Sequence, residues 1–245
     1  CGEVGAGRMP EAAELFAALE NFFANNKPLA GKTAIVTSGP TYEPIDPVRF
    51  IGNRSSGKQG HAIATELAHQ GATVTLITGP VSLSPPPYVR TISVETAEQM
   101  KSSVFENLPA DIFVGAAAVA DWRINTPADQ KMKKRAGGEP PTLNFTENPD
   151  ILSLVGYHTN RPKLVVGFAA ETENLLENAR AKLAKKGCNW IVANQVGTSD
   201  NPVFGTDHNQ VTLITHTTTD NWPPSSKTEV AKMLVQKMIE EFKNV

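Results

Sequence analysis

The residues of this chain best suited to chemistry on an anion are a glycine-rich loop, a basic run and a pair of helical lysines. Gly52-Asn53-Arg54-Ser55-Ser56-Gly57-Lys58-Gln59-Gly60 ends a loop that follows the strand-like run 32–38, and it opens a helical pattern. A buried strand, a glycine-rich turn and a helix start leave backbone N–H groups unpaired at the positive end of the helix dipole. That suits a phosphate group at Ser55, Ser56 and Gly57. Lys131-Met132-Lys133-Lys134-Arg135 lies in a polar segment just ahead of Gly137-Gly138, and a glycine pair there would let the lysines close over a triphosphate as a flap. Lys182 and Lys186 are four residues apart, so they share one helical face, with Lys185 on the adjacent surface. Asp121 follows the small residues Ala116-Ala117-Ala118-Val119-Ala120, which let a flat ligand lie against the backbone; its carboxylate suits a metal ion or a ligand hydroxyl.

Each of these features also has a plainer reading. A basic run is most often a solvated surface, and lysines four apart are most often the wet face of a helix. Gly52-x-x-x-x-Gly57-Lys58 comes close to the P-loop pattern. However, Gln59 stands where that pattern needs a hydroxyl for Mg²⁺, and about a dozen residues separate the loop from its strand. Nothing after Ser38 matches the dinucleotide fingerprint GxGxxG. What remains is a phosphate loop of another type. Asn148-Pro149-Asp150 reads as a helix entry with Asn148 or Asp150 as the cap. Phe168 ends the run Val165-Val166-Gly167-Phe168 and belongs either to the core or to a base-stacking surface. Cys188 reads as a small buried hydrophobe, and the histidines at 61, 69, 158, 208 and 216 show no metal-ligand spacing.

The elements that must position these residues alternate along the chain. Strands are expected at 33–38, 73–78, 89–93, 111–117, 163–168 and 189–193, and helices at 57–70, 96–107, 149–157, 173–186 and 226–243. Continuous apolar runs such as Ile112-Phe113-Val114-Gly115-Ala116-Ala117 suit strands buried on both faces. Their alternation with helices implies βαβ units and a mainly parallel sheet, an α/β fold of three layers. A late strand over 210–215 is a candidate for antiparallel pairing. In the last helix Val230, Met233, Leu234, Met238, Ile239 and Phe242 form one apolar face that belongs to the core. Two stretches, 79–88 and 118–141, show no clear secondary structure. Long loops at strand ends are where open α/β sheets hold ligands. Residues 1–29 differ from the rest: a glycine-rich start, an amphipathic helix from Pro10 to Phe23, then the breaker Asn25-Asn26-Lys27-Pro28.

At 245 residues the chain can bury a full core in one or two domains. Its 40% hydrophobic and 20% charged content are those of an ordinary globular protein, and no apolar run is long enough to span a bilayer. Two cysteines without a CxxC neighbour speak against a disulfide scaffold and a zinc ribbon, and fit a cytoplasmic enzyme. A net charge of −2 gives no general attraction to nucleic acid, so anionic substrates must be held by local clusters.

Taken together, SGPTYEPIDPVRFIGNRSSGKQG, ATVTLITGPVSL, GAAAVADWR, KMKK, ENPDIL, VVGFAAET and IVANQV, in this order, closely resemble phosphopantothenoylcysteine synthetase. That family comprises the CTP-dependent bacterial ligases of coenzyme A biosynthesis. The resemblance covers roughly 30–243 and implies a Rossmann-like ligase domain over 30–245. The start CGEVGAGRMPE is similar to the end of the decarboxylase domain fused ahead of the ligase in many bacteria. Residues 1–29 are therefore expected to be a remnant of that domain plus a linker helix. Cys1 matches the decarboxylase's proton-donating cysteine, but without the flavin-binding domain neither flavin nor decarboxylation is expected. The reaction implied has two steps: the carboxylate of 4′-phosphopantothenate attacks the α-phosphate of CTP, with Mg²⁺, and cysteine then attacks the acyl cytidylate.

The resemblance implies roles position by position. Lys131 matches the lysine that forms the acyl cytidylate, and Asn53 the asparagine that holds it for cysteine. Gly115, Ala116, Ala117, Thr146, Glu147, Asn148, Pro149 and Phe168 match nucleotide-binding positions. Asp121 matches an aspartate at the nucleotide and cation, and Lys182 and Lys186 match lysines that bind CTP. Arg49 and Ala118 fall where the family holds phosphopantothenate, partly from the second subunit of a homodimer, whose contact is sought at 210–215 and in the loop 194–208. Competing readings are an ATP-using ligase of the same type, a nicotinamide-dependent oxidoreductase, and a nucleotide sensor without turnover.

Overall fold

The computed structural model describes residues 11–25, 27–133, 141–195 and 208–243. Its strands are β1 (Thr33–Ser38), β2 (Tyr42–Pro44), β3 (Phe50–Gly52), β4 (Thr73–Thr78), β5 (Arg90–Ser93), β6 (Ile112–Gly115), β7 (Trp122–Ile124), β8 (Phe145–Glu147), β9 (Leu164–Glu171), β10 (Trp190–Gln195), β11 (His208–Asn209), β12 (Val211–Thr215), β13 (Thr219–Asn221) and β14 (Ser225–Ser226). The helices are α1 (Ala12–Asn25), α2 (Lys58–His69), α3 (Ala97–Glu106), α4 (Ile151–Gly156), α5 (Leu175–Lys185) and α6 (Lys227–Lys243). Among the described residues eight strands form one sheet, in the order β13-β12-β10-β9-β6-β1-β4-β5. Every neighbouring pair is parallel except β10–β12 and β12–β13. This is the three-layer α/β architecture expected, with its late antiparallel element.

Side-chain alternation along the strands builds the layers. Ala34 and Val36 of β1, Val114 of β6, Val166 of β9 and Val192 of β10 face α2 and α6, where they meet Ile63, Leu67, Leu234 and Met238. Ile35, Phe113, Val165 and Ile191 point the other way, onto Met100 of α3, Val155 of α4 and Leu183 of α5. Because both faces are covered, the central strands read as unbroken apolar runs. Each such side chain contributes about 1.5–3 kcal/mol by leaving water.

Several short elements lie where loops were expected. The segment after β1 folds as the hairpin β2–β3, and the stretch 118–141 contains β7, which pairs with β8 as a second hairpin. The 79–88 segment is free of helix and strand, as expected. β12 is paired on both sides, and Val211, Thr212, Leu213 and Ile214 are buried. It therefore has no open edge for a second chain to extend as a further strand. Most of the loop 194–208 lies outside the described residues, as do residues 1–10 with Cys1. In α1, Leu15, Phe16 and Leu19 are exposed.

The start of α2 is pressed against the end of β1. Gly57 stands before the helix with φ +71°, a conformation that glycine adopts without strain. Ser38 Oγ donates to the Gly57 carbonyl at 2.8 Å. A Cβ on Gly60 would stand 2.6 Å from Ser38 Cβ. Gly60→Ala should accordingly cost about 1–3 kcal/mol in denaturant unfolding, through overpacking; an unchanged midpoint would show that α2 can shift away from β1 at no cost.

Candidate functional site

Strand β1 leads to β4 on one side of the sheet, and the chain returns to β6 on the other, so a crevice opens at their C-terminal ends. The backbone beyond β6 stays zipped to β1: Ala116 N donates to Thr37 O at 3.2 Å, Ala117 N to Thr37 Oγ1 at 3.3 Å, and Ala118 N to Gly39 O at 2.8 Å. These bonds hold Gly115, Ala116, Ala117 and Ala118 as a flat floor with almost no side-chain relief.

A cavity of about 1340 Å³ lies over that floor. One wall is the loop Asn53 to Gly60, with Ser55, Ser56 and Gly57 at the start of α2. Within it, Ser55 Oγ accepts from Gly57 N at 3.3 Å, and Asn53 Nδ2 donates to Val119 O at 2.9 Å. The opposite wall is cationic: Lys182, Lys185 and Lys186 stand with Asp150 and Phe168. Glu147, Asn148 and Pro149 close the third side together with Asp121. Asn148 ties that side together, its backbone N–H donating to Asp121 O at 2.9 Å and its Nδ2 to Ala120 O at 2.7 Å. Asp150, not Asn148, caps α4, accepting from Ser153 N at 3.1 Å.

The two matched lysines are held in different ways. Lys182 Nζ donates to the Phe168 carbonyl at 2.7 Å, and burial pushes its pKa below the ordinary lysine value of 10.5. Lys186 is ion-paired with Asp150. Phe168 is half-buried: it packs against the core and also lines the cavity. Burial raises the Cys188 thiol to about 11, which leaves it protonated and inert.

Three expected site residues do not line the cavity. Thr146 lies on β8 opposite Arg123. Lys131 is exposed. Arg49 is engaged by Asp46 and donates to the Met132 carbonyl at 3.0 Å. Conversely, Asn194, Asn209 and Lys227 line the cavity and were not singled out from the sequence. His61 was left without a role, yet its Nδ1 lies 3.1 Å from both Ser38 Oγ and the Gly57 carbonyl, fastening the glycine-rich loop from beneath. Among the described residues no cluster of three acidic, histidine or cysteine side chains is present to cage a metal. No helix among them is long and apolar enough to cross a membrane.

Residues 29–242 match the model of the DNA/pantothenate metabolism flavoprotein C-terminal domain family. The chain belongs to this family. It is 44% identical, over 99% of its length, to the coenzyme A biosynthesis bifunctional protein CoaBC of Haemophilus influenzae, and 38% identical over the same share to that of Escherichia coli K12. It spans 60% of the length of each of these relatives. A crystal structure of the C-terminal domain of CoaBC superposes with a TM-score of 0.74 at 33% identity, covering 90% of this chain and all of that one. Cab2 in complex with phosphopantothenate-cysteine shares the fold, with a TM-score of 0.67 at 17% identity over 97% of this chain and 95% of that one.

Within the family's fold, Lys182 is a cation sunk in the wall, and its charge is what an anionic ligand would feel. Lys182→Met should weaken binding of a nucleoside triphosphate about tenfold or more, as loss of a charge-assisted bond does. Because the pKa of Lys182 is lowered, it begins to lose its charge at a lower pH than an ordinary lysine. Affinity should therefore decline as pH rises through the alkaline range, and Lys182→Met should flatten that decline. Calorimetric titration across pH checks both; equal slopes for the two proteins would remove Lys182 from the binding site.

Proposed function

We propose that this domain is a CTP-dependent phosphopantothenate–cysteine ligase of coenzyme A biosynthesis. The observation that carries the reading is the single cavity that gathers Asn53, the loop Ser55-Ser56-Gly57, the floor Gly115 to Ala118 and the wall Lys182 with Lys186, from segments far apart in the chain. Its size accommodates a nucleotide and a second substrate together. The relatives' role in coenzyme A biosynthesis and the phosphopantothenate-cysteine bound to Cab2 support the same substrates.

The chemistry balances in two steps. A carboxylate oxygen of 4′-phosphopantothenate attacks the α-phosphorus of CTP, an O–P bond forms, and pyrophosphate leaves with the electron pair of the broken P–O bond. The cysteine amine then attacks the acyl carbon, CMP departs, and the amine proton passes to solvent or a nearby base. A bare carboxylate is a poor acyl donor because oxide would have to leave, and cytidylation supplies a better leaving group. The first step brings two anions together, so fixed cations and oriented N–H groups must carry the developing charge. Lys182 and Lys186 hold the nucleotide, Lys131 meets the α-phosphate, and Asn53 orients the acyl cytidylate. Gly115 to Ala117 and Thr146 to Pro149 bracket the nucleoside, while Arg49 and Ala118 hold phosphopantothenate. Asp121 fits a Mg²⁺ ion of the kind that keeps most of its waters and binds through one carboxylate and phosphate oxygens, since among the described residues no cluster of side chains is present to cage it. When bound, Mg²⁺ neutralises charge on the phosphates.

The proposal extends to the assembly. Val48 and Phe50 of the first hairpin and Trp122 and Phe145 of the second are each more than half exposed, on elements packed side by side. An apolar patch of that kind suits a second copy of this chain. A covalently linked decarboxylase domain and a cytoplasmic location complete the reading, and no flavin is expected on this domain.

The decisive experiment is pyrophosphate release with Mg²⁺, CTP and 4′-phosphopantothenate, with and without cysteine, and with ATP replacing CTP. Release should require phosphopantothenate, prefer CTP and turn over repeatedly only with cysteine. Lys131→Gln should lower release by about two orders of magnitude or more with the fold intact, as removal of a transition-state cation does. Asn53→Asp should still release pyrophosphate but pass the acyl group to cysteine poorly. Equal turnover with ATP would move the domain to the ATP-using type, and near wild-type turnover by Lys131→Gln would refute the role given to that lysine.

A further inference from the structure

Asp46 has no part in the cavity, yet it is buried and carries more hydrogen bonds than any surface carboxylate needs. It opens the tight turn Asp46-Pro47-Val48-Arg49 between β2 and β3. Oδ1 accepts from Val48 N and from Arg49 N, both at 2.9 Å, as aspartate does at the first position of a turn with proline next. Oδ2 faces outward from the turn. It accepts from Arg49 Nε at 3.0 Å, from Arg49 Nη2, and from Met132 N at 3.1 Å. Arg49 Nη2 also donates to the Met132 carbonyl at 3.0 Å. Both backbone groups of Met132 are thus held by one ion pair, 86 positions away from Asp46 in sequence. A further backbone bond, Ala128 N to Ile45 O at 2.9 Å, fastens the same strip of chain to the same turn.

We infer that Asp46 is a positioning residue: one carboxylate fixes both the guanidinium of Arg49 and the backbone next to Lys131. Lys131 is exposed, and Met132 is the anchored residue beside it, so the place from which the lysine reaches is set by this clamp. The same turn leads through β3 directly to Asn53, so the clamp ties Lys131 to the hairpin that carries Arg49 and Asn53. The carboxylate is saturated by five donors, and an amide in its place would turn an N–H₂ group toward one set of them. The Arg49 guanidinium, with the backbone donors, holds the Asp46 carboxyl well below the usual carboxylate range, so the clamp stays charged throughout neutral pH.

The inference rests on the ligase reading for its catalytic consequence, and on hydrogen exchange for the clamp itself. In the wild-type protein the Met132 amide should exchange at least about tenfold more slowly than a free amide. In Asp46→Asn that protection should be lost. In the same variant kcat for pyrophosphate release should fall about tenfold or more and the KM for phosphopantothenate should rise. The dissociation constant for CTP should stay within about twofold and the melting midpoint within a few degrees, a split that general loosening of the fold would not produce. A wild-type Met132 amide that exchanges freely overturns the clamp even if Asp46→Asn does not fold. Lost protection with unchanged kcat, or a loss of CTP affinity equal to the loss of kcat, overturns the positioning role. A wild-type domain that releases no pyrophosphate refutes the ligase reading, while the exchange comparison still decides whether Asp46 holds Met132.

Discussion

The contact on which the rest of the site depends is the one between the end of β1 and the start of α2. Ser38 and Gly60 approach so closely that no side chain fits between them, and Gly57 turns the chain into the helix through a left-handed conformation. Ser38 Oγ and His61 Nδ1 both converge on the Gly57 carbonyl. Burial lowers the pKa of His61, which favours the neutral ring, and a proton on the nitrogen that faces the carbonyl would satisfy that acceptor. Neutrality matters there: an imidazolium under the loop would be a further charge to bury, whereas a neutral donor only satisfies the carbonyl. The backbone of the loop is thereby fixed to the end of β1, inside the sheet. A loop held this way needs no reorganisation to receive an anion, and that is the condition under which backbone dipoles are most effective.

Across the crevice the same field is made by another device. Lys182 is desolvated and bonded to the Phe168 carbonyl, and the Glu171 carboxylate offsets the effect of burial on its charge only in part. Lys186 is balanced by Asp150, the residue that also caps α4. On the ligase reading, an incoming polyanion would therefore gain most from Lys182, while Lys186 would exchange one carboxylate partner for another oxygen. This asymmetry places the strongest attraction beside the Phe168 carbonyl and away from the outer rim. A chain of net charge −2 can still present a locally positive wall, because Lys182, Lys185 and Lys186 cluster there while Asp121 and Glu147 lie on another side of the cavity.

Much of this was legible in the sequence, for reasons that differ by element. The central strands were readable because both their faces are buried, which makes runs such as Ile112-Phe113-Val114 continuous and strand-like. The glycine-rich turn into α2 was readable because its glycines have steric causes that leave a pattern. The hairpins β2–β3 and β7–β8 were not, because three-residue strands rich in proline, glycine and polar residues carry no usable period. Asn194, Asn209 and Lys227 escaped for another reason: each is an ordinary polar residue, and only the fold brings them to the cavity. The basic run at Lys131 was visible as charge, whereas its anchoring to Asp46 was invisible, since nothing local links positions so far apart.

That last case shows what kind of force can order such a strip of chain. Lys131-Met132-Lys133 offers one apolar side chain between two charged ones, so burial of hydrophobic surface cannot fix its position. Hydrophobic contact is also non-directional and would tolerate sliding by an ångström or more. A saturated carboxylate does neither: each of its bonds has a length and an angle, and to displace Met132 is to leave a buried charge short of a donor, which is the expensive outcome. The tight turn at Pro47 makes the device rigid, because the acceptor and the arginine come from the same four residues and cannot drift relative to one another. Directional bonds from a pre-formed turn are thus the means by which this fold holds a polar segment where its core cannot reach.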